Sequence, residues 1–334
     1  MKIVKTAKIL SVVSMIALTT GPAASETVLR LASVVPSTSP WGVWLQQVSD
    51  KVAADTGGDL TIELVLDAQA GDEDTILRQT VRGRYDLALL SNNPMTTISQ
   101  AMAVTSAPYN FASADEGSCV VHEHLSATLT PVMEEAGLTP LSWVEAGHYV
   151  MFSREKITLP GDLADKKVRI ANNIADVNYG AALGTTAVPM GASDVLPALQ
   201  TGAVDAAWFP AVYGIAVGTH QAAPNVLVTN HSRLIGTVAM SVQSTKGLSQ
   251  EQLEALQAFD TMAPTLTKMI LGAEGALLGK IESAGVPVHR LTDEEEAAWR
   301  ASAEGVRAAI VDAAGGPASD IAAAIDAAKA ACNG

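Results

Sequence analysis

TVLRLASVV (Thr27 to Val35), LTIELVL (Leu60 to Leu66) and DLALL (Asp86 to Leu90) are three apolar runs separated by two helical patterns. Together these five pieces decide the fold. Ser39-Pro40 predicts a helix start, with Ser as N-cap and Pro at the first helical position, and the pattern runs to about Ala54 before Gly57-Gly58 stops it. A second helix is expected from Asp72 to Arg82, ended by Gly83. Strand, helix, strand, helix, strand with short connections is the pattern of a mostly parallel α/β sheet.

The same order recurs downstream. A strand KVRIA (Lys167 to Ala171) precedes a helix over Asp176 to Leu183 and a short strand around Val188. A helix over Ser193 to Gln200 and the strand VDAAWF (Val204 to Phe209) follow. QTVRGRYDLA (Gln79 to Ala88) and QTGAVDAA (Gln200 to Ala207) both end a helix at Gly and resume with an Asp-led apolar strand, one supersecondary solution used twice. From Ser249 the pattern is helical and rich in alanine. The stretch Gln250 to Ser283 exceeds an ordinary globular helix, so it either breaks near Ala263-Pro264 or lies across both units as a strut. Two last helices are expected, roughly Asp293 to Ala313 and Pro317 to Ala331, with a turn and strand over Ser283 to Val288 before them.

The N-terminus reads as a secretory signal. Lys2, Lys5 and Lys8 precede an apolar run, Ile9 to Leu18, too short to span a bilayer, and Ala23 and Ser25 place cleavage after Ser25. The expected location is the periplasm. No Cys follows that point, so a lipid anchor is not indicated. Removing the three lysines takes the formal net charge from −14 to −17. Such a field repels phosphate backbones and anionic membranes, which argues against nucleic-acid partners. An anionic ligand would need a local cation, and each arginine gains interest. Export would permit Cys119 and Cys332 to pair and tie the C-terminus to the first half of the chain; the alternative is two inert thiols.

Enzyme motifs are missing. There is no GxSxG elbow, no HExxH and no GxGxxG between a strand and a helix. Gly279-Lys280 fails as a phosphate loop, because Glu274 and Ile281 stand where Gly and Ser or Thr are required. His122-Glu123-His124 places two histidines about 200° apart on a helix, a solvated face rather than a metal site.

GDLADKKVRI (Gly161 to Ile170) and ALGTTAVPMGASDVLPALQTGAVDAAWFP (Ala182 to Pro210) resemble the extracytoplasmic solute receptors of TRAP transporters, the DctP-type family. QAGDEDTILRQTVRGRYDLALL (Gln69 to Leu90) and APYNFAS (Ala107 to Ser113) extend the likeness over most of the chain. The resemblance implies a two-lobed periplasmic-binding-protein fold, type II-like, with a hinge between the lobes and a long C-terminal helix bracing both. The expected division is lobe I over 26–146 plus about 240–300, lobe II over 147–239, and helices of 301–334 packing on the lobes. It also implies capture of a small organic acid, a carboxylate or a sulfonate, for a permease of one small and one large membrane subunit. A monomer with no cofactor, no metal and no enzymatic activity is expected. The rival readings are a receptor for an ABC importer or sensor and an exported enzyme.

The Arg of the K-V-R motif is the family's carboxylate clamp, here Arg169. A planar guanidinium holds a carboxylate through two parallel hydrogen bonds and keeps its charge. Two departures stand out. Tyr149 replaces a second arginine that many relatives carry, and Trp208-Phe209 replaces a Glu that some relatives use for a cation. Adjacent strand residues face opposite ways, so Phe209 is expected to meet the ligand and Trp208 to pack inward. Asn172, Ser91, Asn92 and Glu73 are candidate polar contacts, and Trp41 a candidate apolar cover. Topology alone points to Val34-Val35, Ser91 to Asn93, Arg169 to Asn172 and Trp208-Phe209, because ligands of open α/β sheets sit beyond the strands' carboxyl ends.

Overall fold

The computed structural model describes residues 26–333; the export signal read over 1–25 lies outside them. Ten strands are formed: β1 (Thr27–Ala32), β2 (Leu60–Val65), β3 (Leu87–Ser91), β4 (Leu138–Ser153), β5 (Lys167–Ile170), β6 (Thr186–Pro189), β7 (Ala206–Pro210), β8 (Asn225–Val228), β9 (Arg233–Ser241) and β10 (Val288–Arg290). They join in the order β2-β1-β3-β9-β4-β7-β5-β6, with β8 pairing β4 and β10 pairing β8.

That order contains one pattern twice. β1 lies parallel between β2 and β3, and β3 meets β9 antiparallel. β5 lies parallel between β6 and β7, and β7 meets β4 antiparallel. Each lobe is thus a parallel unit closed by one antiparallel strand. All residues of the central strands β7 and β9 are buried, and β7 is apolar throughout, as burial on both faces favours. Edge strand β2 alternates instead.

The repeated sequence element behaves the same way in both lobes. Helices Glu73–Val81 and Val195–Thr201 give way to Gly83 and Gly202, at φ 69° and 71°, a left-handed turn that glycine enters without steric cost. The Asp86 carboxylate then accepts from Arg30 N at 2.8 Å, and the Asp205 carboxylate from Lys167 N at 2.9 Å. Each aspartate pins its strand to the neighbouring one.

Helix Pro40–Asp55 starts as expected, with the Ser39 side chain accepting from Gly42 N. It buries Trp41, Trp44, Leu45, Val48 and Val52, an apolar stripe at helical spacing. The predicted strut of residues 250–283 is three helices, Gln250–Ala255, Ala258–Thr261 and Ala263–Ser283. Pro264 does not disrupt the last of these, because it lies at the helix start, where no backbone donor is needed. Ala263–Ser283 braces both lobes. Its Leu266 and Ile270 pack with Trp44 and Phe259 of the first, and its Leu278 and Ile281 with Phe152 and Leu199 of the second.

One expectation changes near the C-terminus. The helix predicted over Asp293 to Ala313 is two, Asp293–Ser302 and Val306–Ala314, parted at Gly305 with φ 76°. β10 joins β8, and Trp299 Nε1 donates to Thr158 O at 2.8 Å. β10 and Trp299 thus contact residues of the segment 147–239. The final helix, Ala318–Cys332, is tied to helix Ala114–Cys119 by the Cys119–Cys332 disulfide. Both sulfurs of a potential metal cluster with His124 are thereby consumed. No helix among the described residues is long and apolar enough to cross a membrane.

Candidate functional site

A cavity opens between the lobes beyond the carboxyl ends of β1, β3, β5 and β7. β4 crosses its floor with Val144, Ala146 and Tyr149, and β9 contributes Leu234 and Gly236. A Cβ at Gly236 would stand 2.7 Å from Leu90 O, so the close approach of β9 to β3 admits only glycine.

Arg169 projects from β5 and is only 4 % exposed. Its Nε and Nη2 donate to Met190 O at 3.2 and 2.9 Å, and Nη1 donates to Trp208 O at 3.4 Å. The Phe209 ring centroid lies 4.6 Å from the guanidinium carbon, a cation–π contact that holds the group flat. A guanidinium has five N–H donors. Three are used here, which leaves one on each terminal nitrogen, the pair a carboxylate takes two at a time. Burial works against the Arg169 charge, while Asp176 and Glu73 support it.

Opposite, at the start of its helix, Glu73 lines the cavity from the first lobe. Its carboxylate accepts from Ser91 N at 2.6 Å and from Ser91 Oγ at 2.7 Å. Burial raises its pKa, and the two Ser91 bonds and the Arg169 charge oppose that rise. Asn93 joins the lobes: its Oδ1 accepts from Asn173 Nδ2 at 2.7 Å, and its Nδ2 donates to Tyr149 Oη at 3.3 Å. Burial pushes the Tyr149 phenol well above its ordinary range, so it stays neutral. Where the resemblance led to a second cation, this chain places an uncharged acceptor.

Of the residues singled out in the sequence, Arg169, Phe209, Tyr149, Trp41, Ser91 and Glu73 line the cavity. Trp41 also donates from Nε1 to Glu145 O at 3.0 Å. Asn172 lies in an adjoining recess with Asp72, Asn93 and Gly191. Asn92 is not at the cavity: its amide donates to Thr105 and Ser106, and it is buried there. The short helix Asn92–Met95 turns Asn93 toward the cleft and Asn92 away from it. Trp208 packs inward, as the strand alternation predicts, and donates from Nε1 to Asp176 Oδ2 at 2.9 Å. Tyr213 escaped the sequence reading. It lies in helix Ala211–Ala216, directly after β7, with its ring 5.4 Å from Phe209.

One buried cation with two open donors, one carboxylate, neutral polar groups and an apolar wall make a binding cleft, and the two-lobed fold around it is that of a solute-binding protein. Similarity agrees. The chain belongs to the bacterial extracellular solute-binding protein family 7, DctP, whose model matches residues 31–312. It is 26% identical to a solute-binding protein of Chromohalobacter salexigens over 78% of this chain and 79% of the relative. Two solved structures share the fold. A TRAP periplasmic solute-binding protein from Desulfovibrio salexigens with bound orotic acid superposes with a TM-score of 0.87 at 17% identity, covering 92% of this chain and 100% of the other. One from Roseobacter denitrificans with bound β-D-glucuronate gives 0.83 at 24% identity, covering 91% and 99%.

Proposed function

We propose that this chain captures a small organic acid in the periplasm and delivers it to the two membrane subunits of a TRAP permease. The observation that carries this reading is Arg169, a buried cation that lines the interlobe cavity with one donor on each terminal nitrogen unused by the protein. The ligand's carboxylate lies on that guanidinium above Phe209, and Tyr149, Asn93 and Ser91 meet its other polar atoms. The lobes are 26–146 and 147–239, with closure at the strands that pass between them, near Gly147 of β4 and Arg233 of β9. Binding favours the closed state because only there do both lobes touch the ligand.

Removing one partner of a buried charge pair costs about 2–5 kcal/mol. Arg169→Ala is therefore expected to weaken binding of an acid ligand at least tenfold, taking about 1.4 kcal/mol per decade. Titration calorimetry on acids selected by thermal shift measures this. A dissociation constant unchanged by the substitution removes Arg169 from the site.

A further inference from the structure

The cavity holds two opposite charges that do not meet. Arg169 and Glu73 are the ionisable acid and base among its lining residues, and the remaining polar side chains there are Ser91, Asn93, Tyr149, Tyr213 and Trp41. Both phenols stay neutral, that of Tyr213 raised to about 12 by burial. Arg169 already has a balancing charge outside the cavity. Asp176, buried in the second lobe, accepts from Ala171 N and Trp208 Nε1 and favours the guanidinium charge; burial raises its own pKa, and those two bonds and Arg169 oppose the rise. Glu73 has no such counterpart. The charges that act on it are Asp74, which opposes its ionisation, and Arg169, and its bonds come from Ser91 alone.

A simple carboxylate entering this space takes the two open Arg169 donors but adds a second negative group to a cavity already lined by Glu73. Like charges in a low dielectric repel strongly. A ligand that also carries an ammonium group removes the conflict, since its cation meets the Glu73 carboxylate while its carboxylate meets Arg169. Both ends are prearranged. Ser91 fixes each Glu73 oxygen, and Met190, Trp208 and Phe209 fix the guanidinium. The walls also include Val34, Trp41, Leu89, Val144 and Leu234, which offer contact to carbon.

Resting on the acid-binding reading above, we propose that the solute is a zwitterion with an apolar body, its carboxylate on Arg169 and its ammonium group on Glu73. Glu73 is then the specificity-determining residue, selecting amino-bearing acids over their neutral counterparts.

The test uses matched acids that share a carbon skeleton: valine, leucine, phenylalanine and 4-aminobutyrate, each with its hydroxy and unsubstituted analogue. Calorimetry at pH 7 on the wild type is expected to give the amino acid of at least one set a tenfold or greater advantage over both analogues. Glu73→Gln, nearly isosteric, is expected to erase that advantage while keeping affinity for the unsubstituted acid, which also shows that the variant folds. The proposal is overturned if the hydroxy or unsubstituted acids bind the wild type as tightly as the amino acids, or if Glu73→Gln keeps the preference. In either case Arg169→Ala still weakening those acids leaves the receptor reading standing. If no set binds, or if Arg169→Ala binds every acid like the wild type, the reading of Arg169 as the acid clamp falls and this proposal with it.

Discussion

His231 illustrates what a single residue's environment decides. It is 2 % exposed, packed against Tyr149, Tyr179 and Trp208, with Nδ1 2.6 Å from Thr229 Oγ1. Burial pushes its pKa down from 6.5 to about 3. The imidazole stays neutral in the folded protein, whereas the unfolded chain takes up a proton below the ordinary value. Its contribution to stability is therefore intact above about pH 6.5 and lost as the pH falls from there toward 3. At pH 5 the loss is on the order of 2 kcal/mol, from about 1.4 kcal/mol per unit. His231→Gln removes this titration, so urea unfolding at pH 7 and pH 5 should show the variant losing less stability on acidification, by about that amount. Equal losses in the two proteins would show that His231 protonates while folded. At this same scale, the Arg169 motif and strand alternation identified the guanidinium and its flanking ring in the sequence. Asn93 was reached by topology alone, and Tyr213 did not stand out, because a helix directly after β7 leaves little periodic signal.

β4 is the element that makes the cleft possible. It pairs β9 from Leu138 to His148 and β7 from Tyr149 to Ser153, so one strand belongs to both lobes. The register shifts between Glu145 and Gly147, where Gly147 has φ 95° and its N–H donates to Glu145 Oε1 at 2.6 Å. Bulges of this kind bend a strand and sharpen its twist. Glu145 also pairs with Arg233 of β9, and Glu274 of the bracing helix accepts from His148 N at 2.7 Å. A Cβ on Gly147 would fall 2.7 Å from Glu274 Oε1 in a backbone region that side chains avoid. Gly147→Ala is expected to cost about 1–3 kcal/mol in urea unfolding. An unchanged midpoint would mean the bulge relaxes without strain. The sequence identified each parallel unit from its apolar runs and its Gly-then-Asp turns. The continuity of β4 was hidden, since the strand carries Pro140, a bulge and a change of partner, each of which breaks regular alternation.

Over the whole molecule, the Cys119–Cys332 bridge closes a loop spanning 213 positions and holds Ala318–Cys332 against the first lobe. Constraining so long a loop in the unfolded chain contributes about 3–5 kcal/mol on the chain-entropy account. Cys119→Ser and Cys332→Ser should each lower stability to guanidinium by that order. The double substitution should cost no more than either alone, because the first change already removes the bridge. Losses that add would mean that each sulfur acts through its own packing. Read by itself, the sequence determined the two α/β units, the helix starts at Ser39 and Ser249 and the inward turn of Trp208, all set by short-range periodicity and local chemistry, while the clamp at Arg169 came from the family resemblance. Only the tertiary structure decided that the cysteines pair, that β10 adds to β8, and that Glu73 and Arg169 face one cavity from opposite lobes. Those facts depend on which surfaces meet when distant segments pack, and local patterns carry no record of that meeting.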